Sequence, residues 1–122
     1  MKNRDEANDL KGRTKEFALR VIRLYADLPK VTEVQVLGKQ VLRSGTSVGA
    51  NYREAYRSRS TAEFVAKIGD CLKELDETSY WFELLAETEM VAGDRIAPLL
   101  KECNELIAIF TTIAKKCKIS SK

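Results

Sequence analysis

The sequence predicts an all-α fold, an antiparallel four-helix bundle in up-down-up-down order. Apolar residues recur at three- and four-residue spacing in four successive segments, and no segment alternates as a half-buried strand would. The chain has only 2 prolines and 6 glycines in 122 residues, so most of it is free to be helical. Because the segments between the helices are short, neighbouring helices should run antiparallel. We expect a single domain that spans residues 1–122.

The first two helices are predicted at residues 14–28 and 33–57. Both contain apolar residues every three or four positions, and Pro29 ends the first helix. Thr32 as N-cap and Gln35 three residues later form the capping-box pattern at the start of the second helix.

The last two helices are predicted at residues 61–91 and 95–118. Ser60 and Glu63 form a second capping-box pattern before the third helix. A Gly-Asp turn separates the third helix from the fourth, with Asp94 as the expected N-cap.

Small residues lie on the apolar face of the second helix. Gly38, Gly45 and Gly49 project within about 40° of one another, at 100° per residue. Small residues on an inward face let a neighbouring helix approach closely, and aromatic rings of that helix can fill the space. We therefore interpret these glycines as sites of close packing.

A polar cluster accompanies the glycines. Ser44, Ser47 and Asn51 line one edge of the apolar stripe, and Glu54 follows three residues later. These side chains can join a hydrogen-bond network with a neighbouring helix. A small-molecule site near Asn51 and Glu54 is a further, weaker hypothesis.

Charge is segregated along the chain. Residues 1–59 hold 13 basic and 7 acidic side chains, a net charge of +6. Residues 60–94 hold 2 basic and 9 acidic side chains, a net charge of −7, and residues 95–122 hold 6 basic and 2 acidic, a net charge of +4. The third helix is therefore acidic, whereas the second helix and the end of the chain are basic.

One face of the second helix is uniformly basic. Lys39, Arg43, Arg53 and Arg57 project within about 80° of one another, and no acid interrupts them. Such a row suits a phosphate backbone, because each neutralised phosphate releases counterions. The alternatives are a solvated face, or ion pairs with the acidic third helix of the same or another subunit. Further basic residues could extend this surface: Arg59, Lys115, Lys116, Lys118 and Lys122.

A second apolar patch is predicted on the third helix. Tyr80, Trp81 and Leu84 point away from the main apolar stripe of that helix. An exposed Trp beside Tyr and Leu is more typical of an interface than of solvent-facing surface. We interpret the three residues as an oligomer interface, the alternative being a broadly buried helix with Trp81 at the end of the bundle.

The composition argues against catalysis. The absence of His removes the usual general base and the commonest metal ligand, and no CxxC pair, phosphate-binding loop or dinucleotide-binding turn is present. We expect no enzyme activity, no catalytic residue, no metal site and no cofactor. The three widely spaced cysteines suit a reducing cytoplasm. We expect neither a membrane span nor a signal peptide.

The stretch LRSGTSVGANYREAYRSRSTAEFVAKIGDCLKELDETSYWFELLAETE resembles the S23 family of bacterial four-helix-bundle proteins, the 23S rRNA intervening-sequence proteins. The resemblance covers about residues 10–118 and is most specific in the blocks RSGTSVGAN, EA, EF and YW. It implies a four-helix bundle that assembles into a homopentamer without enzymatic activity or cofactor. A distant branch, the accessory protein of diversity-generating retroelements, binds nucleic acid and a reverse transcriptase. Residues at family-block positions are Arg43, Ser44, Ser47, Asn51 and Glu54.

Two functions remain open from the sequence. The first is a cytoplasmic, non-enzymatic homo-oligomer that binds RNA or DNA through the second helix and the basic end of the chain. The second is a structural or protein-interaction module with no nucleic-acid role, such as a partner of a reverse transcriptase or another protein. Because phosphate contacts weaken steeply with salt, the salt dependence of binding distinguishes the two.

Overall fold

The computed structural model describes the backbone of residues 4–120 and the side chains of residues 9–118. Four helices occupy this range, and none of its residues lies in a strand. The helices are α1 (Arg4–Ala26), α2 (Thr32–Tyr56), α3 (Thr61–Glu87) and α4 (Gly93–Ser120). The predicted all-α four-helix bundle is therefore confirmed.

Each helix runs antiparallel to the next. The packing of α1 on α2, of α2 on α3 and of α3 on α4 is extensive, whereas α1 and α4 meet over a smaller area. Three ion pairs span that looser junction, two of them made by Arg13, which also lies 2.8 Å from Glu105. Arg13 of α1 binds Glu102 of α4 with a 2.7 Å separation, and Arg95 of α4 lies 3.0 Å from Asp27 just beyond α1. Ion pairs therefore contribute a larger share of the contact between α1 and α4 than of the contacts between consecutive helices.

The core is built from apolar side chains of all four helices. Phe17, Tyr52, Phe82 and Phe110 are each at most 1% exposed. The rings of Tyr52 in α2 and Phe110 in α4 meet edge to face, with centroids 5.7 Å apart. Since α2 and α4 lie diagonally across the bundle, this contact closes its centre.

The glycines of α2 lie where α1 comes closest. A Cβ atom added at Gly38 would stand 2.6 Å from Cδ1 of Leu28, and one at Gly45 would stand 3.0 Å from Cγ2 of Val21. A Cβ at Gly49 would stand 3.2 Å from Oγ1 of Thr14. The inward position predicted for these glycines is confirmed.

The start of α1 differs from the prediction by ten residues. The helix begins at Arg4, not near residue 14. Leu10 is only 4% exposed and continues the buried face of Phe17 two turns earlier, while Gly12 faces open space. The ion pair of Arg13 with α4 also holds this part of the helix in place. These tertiary contacts stabilise a segment whose own apolar pattern is weak.

Two predicted caps are wrong. Thr32 is the first residue of α2, and Val31 occupies the N-cap position without a side-chain hydrogen bond. Gln35 instead joins the α1–α2 turn, where it accepts a hydrogen bond from Tyr25 and donates one to the carbonyl of Pro29. Asp94 lies inside the first turn of α4, which begins one residue earlier.

The cap of α3 follows the prediction, whereas its end does not. The hydroxyl of Ser60 accepts a hydrogen bond from the backbone N–H of Glu63 at 3.1 Å. The helix ends at Glu87, four residues before the predicted end. Glu89 has a left-handed backbone with φ of 61°, a conformation that stops a right-handed helix.

Candidate nucleic-acid interface

All four basic residues predicted on one face of α2 are solvent exposed. We call Lys39, Arg43, Arg53 and Arg57 the basic strip. From Lys39 to Arg57, the C-cap residue that follows α2, it spans about 27 Å at 1.5 Å per residue. Ala50 is exposed in the middle of the strip, and its short side chain does not obstruct access to the neighbouring cations. The strip therefore offers a long, straight row of cations.

Arg43 differs from the other three members of the strip. Its guanidinium lies 3.3 Å from a carboxylate oxygen of Glu74 and 2.6 Å from one of Glu77, both on α3. Its charge is thus largely compensated within the chain, as the ion-pair alternative anticipated for the strip. Lys39, Arg53 and Arg57 form no ion pair with any described residue. They are the cations of the strip that remain available to a ligand.

The bundle gathers further predicted cations at one end. The C-terminal ends of α2 and α4 lie at the same end, because the helices alternate in direction. Arg59, Lys115 and Lys116 are exposed there. Lys118 is exposed on α4 and takes part in an interaction of its own. Lys122 lies outside the described residues.

Part of the polar cluster joins α2 to α3. Ser44 is fully buried, and its hydroxyl forms a 2.7 Å hydrogen bond with that of Thr78. Ser47 donates instead to the carbonyl of Arg43 in its own helix. Asn51 is half-buried and makes no side-chain hydrogen bond with the described residues. Only part of the expected network therefore crosses between helices.

The Glu54 carboxylate is taken up by an ion pair with a lysine of α3. The carboxylate accepts a hydrogen bond from Nζ of the half-buried Lys67 at 2.7 Å, and this hydrogen bond raises the pKa of the lysine. A groove between α1 and α4 is lined by Leu10, Ile109 and Ile113, away from Asn51 and Glu54. Nothing in the geometry around Asn51 adds support to a small-molecule site there.

The three residues predicted as an oligomer interface differ in exposure. Tyr80 is 54% exposed, whereas Trp81 and Leu84 are half-buried. Trp81 does not point away from the main apolar stripe of α3 as predicted, but packs against the core, and its buried indole N–H has no hydrogen-bond partner among the described residues. The Tyr80 and Trp81 rings have centroids 5.1 Å apart. Of the three predicted interface residues, only Tyr80 therefore presents an exposed ring, beside the half-buried Trp81 and Leu84.

The sequence interpretation missed two lysines of α1. Nζ of Lys11 lies 4.1 Å from the centroid of the Tyr56 ring, next to the C-terminal half of α2. Lys15, one turn later, is exposed. The four-residue spacing of the two lysines was a usable signal, but only for a helix that begins before residue 14.

The cysteines lack the features of reactive groups. Cys71 and Cys103 are fully buried, and burial raises the pKa of each thiol to about 12. Each Sγ faces a backbone carbonyl, that of Val48 for Cys71 and that of Leu75 for Cys103. Among the described residues, no group of three or more His, Cys, Asp or Glu side chains could hold a metal ion. None of the described helices has a stretch long and apolar enough to cross a membrane.

Comparison with known proteins agrees with the fold. The model of the family described as 23S rRNA-intervening sequence protein matches residues 6–112. A crystal structure from Bacteroides thetaiotaomicron, of a protein of unknown function in the S23 ribosomal protein family, is 40% identical in sequence with a TM-score of 0.80. The match covers 86% of this chain and 97% of that one. No curated protein matches the chain at a significant level. With most of its length matched by the family model, the chain belongs to the 23S rRNA-intervening sequence, or S23, family.

Proposed function

We propose that this protein is a non-enzymatic, cytoplasmic homo-oligomer, a pentamer, that binds RNA or DNA through the basic strip of α2. The observation that carries the proposal is the row of exposed cations Lys39, Arg53 and Arg57, none of which has an ion-pair partner among the described residues. Their charges are fully available to phosphates, and phosphate contacts supply most of the affinity of non-specific nucleic-acid binding.

Assembly would strengthen this surface. The net charge of one chain is only +3, which alone gives a weak field. Several copies of the strip in one particle would add their potentials and raise the association rate with a polyanion. The exposed Tyr80, and the acidic residues of α3 that do not bind Arg43, are the surfaces we assign to contacts between subunits.

The test compares the parent protein with a variant that lacks the three free cations. The variant carries Lys39→Gln, Arg53→Gln and Arg57→Gln and keeps Arg43, whose loss would leave Glu74 and Glu77 unpaired. Fluorescence anisotropy with labelled oligonucleotides at low salt should show binding by the parent and a loss of about tenfold or more in the variant, since about three phosphate contacts disappear.

Two controls accompany this experiment. A matched variant removes three exposed lysines outside the strip, Lys30, Lys73 and Lys101, and should bind like the parent. Thermal melts must show that each variant remains folded. Equal binding by the parent and the strip variant would exclude the strip as the contact surface. If the parent does not bind at low salt, the nucleic-acid function is wrong and the protein-interaction module takes its place.

A further inference from the structure

A second row of cations lies beside the basic strip, on α1. Lys11 and Lys15 are one helical turn apart and face the same side of that helix. The contact of Lys11 with the Tyr56 ring places this side next to α2. The close approaches of Thr14 to Gly49 and of Val21 to Gly45 set the register of the two antiparallel helices. In this register Lys15 is level with the exposed Ala50, and Lys11 is level with Arg53.

No acid of the described part of α1 interrupts this second row. Asp9 and Glu16 project at least about 100° away from both lysines, at 100° per residue. Glu16 also lies 3.5 Å from Arg23, on its own side of the helix. Because α1 and α2 pack against each other as neighbours, the two rows of positive charge run side by side on adjacent helices. We call Lys11, Lys15, Lys39, Arg53 and Arg57 the two-row basic patch.

The patch lacks the rings that proteins use to hold single strands. Among the described aromatic side chains, Tyr56 and Tyr80 are the strongly exposed ones. The ammonium group of Lys11 covers a face of the Tyr56 ring, and Tyr80 belongs to α3. Binding of single strands typically relies on bases stacked on free aromatic rings. A duplex keeps its bases inside and presents regularly spaced phosphates, which rigid rows of cations can contact without stacking.

We propose that the two-row basic patch binds the phosphate backbone of double-stranded nucleic acid in preference to single strands, with Lys11 and Lys15 as contact residues in addition to the strip. This inference rests on the proposed function and names the form of nucleic acid and two residues of α1. It requires no base-specific contact, so duplex DNA and duplex RNA share the chemistry that is recognised.

The experiment measures anisotropy with labelled duplex DNA, duplex RNA and each of their separate strands, all of one length and at one salt concentration. Each duplex should bind at least about fivefold more tightly than its strands, because the patch offers charge without stacking. The variant Lys11→Gln with Lys15→Gln should bind duplex about tenfold more weakly, and its slope of log K against log salt should be shallower by about 2. A control with Lys73→Gln and Lys101→Gln, which loses the same charge elsewhere, should match the parent.

Each outcome decides a separate claim. Equal or tighter binding of single strands, or unchanged duplex binding by the α1 variant, overturns this inference and leaves the strip as the proposed interface. Failure of the parent to bind any probe overturns the proposed function itself. Because loss of the Lys11–Tyr56 contact could affect stability, Lys15→Gln is measured alone as well. Lys15 makes no ion pair or ring contact in the described chain, so weaker duplex binding by this single variant supports the patch and unchanged binding counts against it.

Discussion

At the scale of single residues, the missing side chains of three glycines set the distance between α1 and α2. Gly45 meets the branched side chain of Val21, and there is no free volume for a larger residue. Gly69, by contrast, faces open space on α3. The two positions are both helical, so they separate the packing role of glycine from its low helix propensity.

Gly45→Leu should lower the free energy of unfolding by about 1–3 kcal/mol, because overpacking displaces Val21 or the helix. Gly69→Leu should be neutral or stabilising by up to about 1 kcal/mol, since a residue with higher helix propensity replaces glycine without a clash. Thermal melts of both variants provide the comparison. Similar midpoints for the two would contradict the close approach of α1 to Gly45.

The thiols provide a second prediction at this scale, one that depends on pH. Because burial raises the pKa of Cys71 and Cys103 from 9.0 to about 12, the unfolded chain loses these protons first as the pH rises. Their contribution to stability is complete below about pH 9 and is lost progressively towards pH 12. At pH 8, a thiol reagent should therefore modify the half-buried Cys117 first and the other two only on unfolding. Rapid modification of all three in the native protein would contradict the burial of Cys71 and Cys103.

At the scale of helices, periodicity predicts the number and type of elements because burial follows spacing. N-cap residue types predict the helix ends less reliably. Thr32 and Asp94 are both of types common at N-caps, yet each lies within its helix. The exposure of Lys39, Arg53 and Arg57 also followed from helical projection. Ion pairs between the strip and the acidic third helix were one of the alternatives, but projection does not show that Arg43 is the residue that pairs, because this depends on the register between α2 and α3. That register comes from tertiary packing, which one sequence does not reveal.

The ion pairs between α1 and α4 lead to a prediction about how strongly α1 is held to the bundle. Arg13 donates two hydrogen bonds to Glu102 and one to Glu105, and these carboxylates raise its pKa. Arg13→Gln should cost about 1 kcal/mol of stability, because a forked, half-buried contact is lost. Arg23→Gln is the matched control, since the exposed pair with Glu16 should contribute only a few tenths of a kcal/mol. Urea unfolding curves compare them, and equal effects would mean that the α1–α4 ion pairs do not secure this junction.

At the scale of the whole molecule, charge separates into a basic α1–α2 side and an acidic α3. The acids of α3 reach Arg43 but leave the rest of the strip uncovered. This separation suits a particle in which acidic surfaces contribute to subunit contacts and basic surfaces bind a polyanion. The half-buried Trp81 and the exposed Tyr80 beside it suit the same kind of contact, with a rigid base and an accessible ring.

Light scattering tests the assembly. We expect a mass of about five times the 13.8 kDa chain at micromolar concentration. Tyr80→Ser should lower this mass if the exposed Tyr80 ring lies between subunits. Tyr56→Ser is the control and should leave the mass unchanged, because Tyr56 lies at the opposite end of the bundle from Tyr80. A monomeric mass at both low and moderate salt would contradict the oligomer and would leave each strip to act alone.

The salt dependence of duplex binding tests the central claim most directly. The claim is that Lys39, Arg53 and Arg57 bind nucleic acid through phosphates. The three free cations of one strip predict that log K falls linearly with log salt at a slope of about −3 or steeper, since each contact contributes about −0.9. The variant that lacks these cations should show a clearly shallower slope. A slope near zero for the parent, or the same slope for parent and variant, would contradict the account.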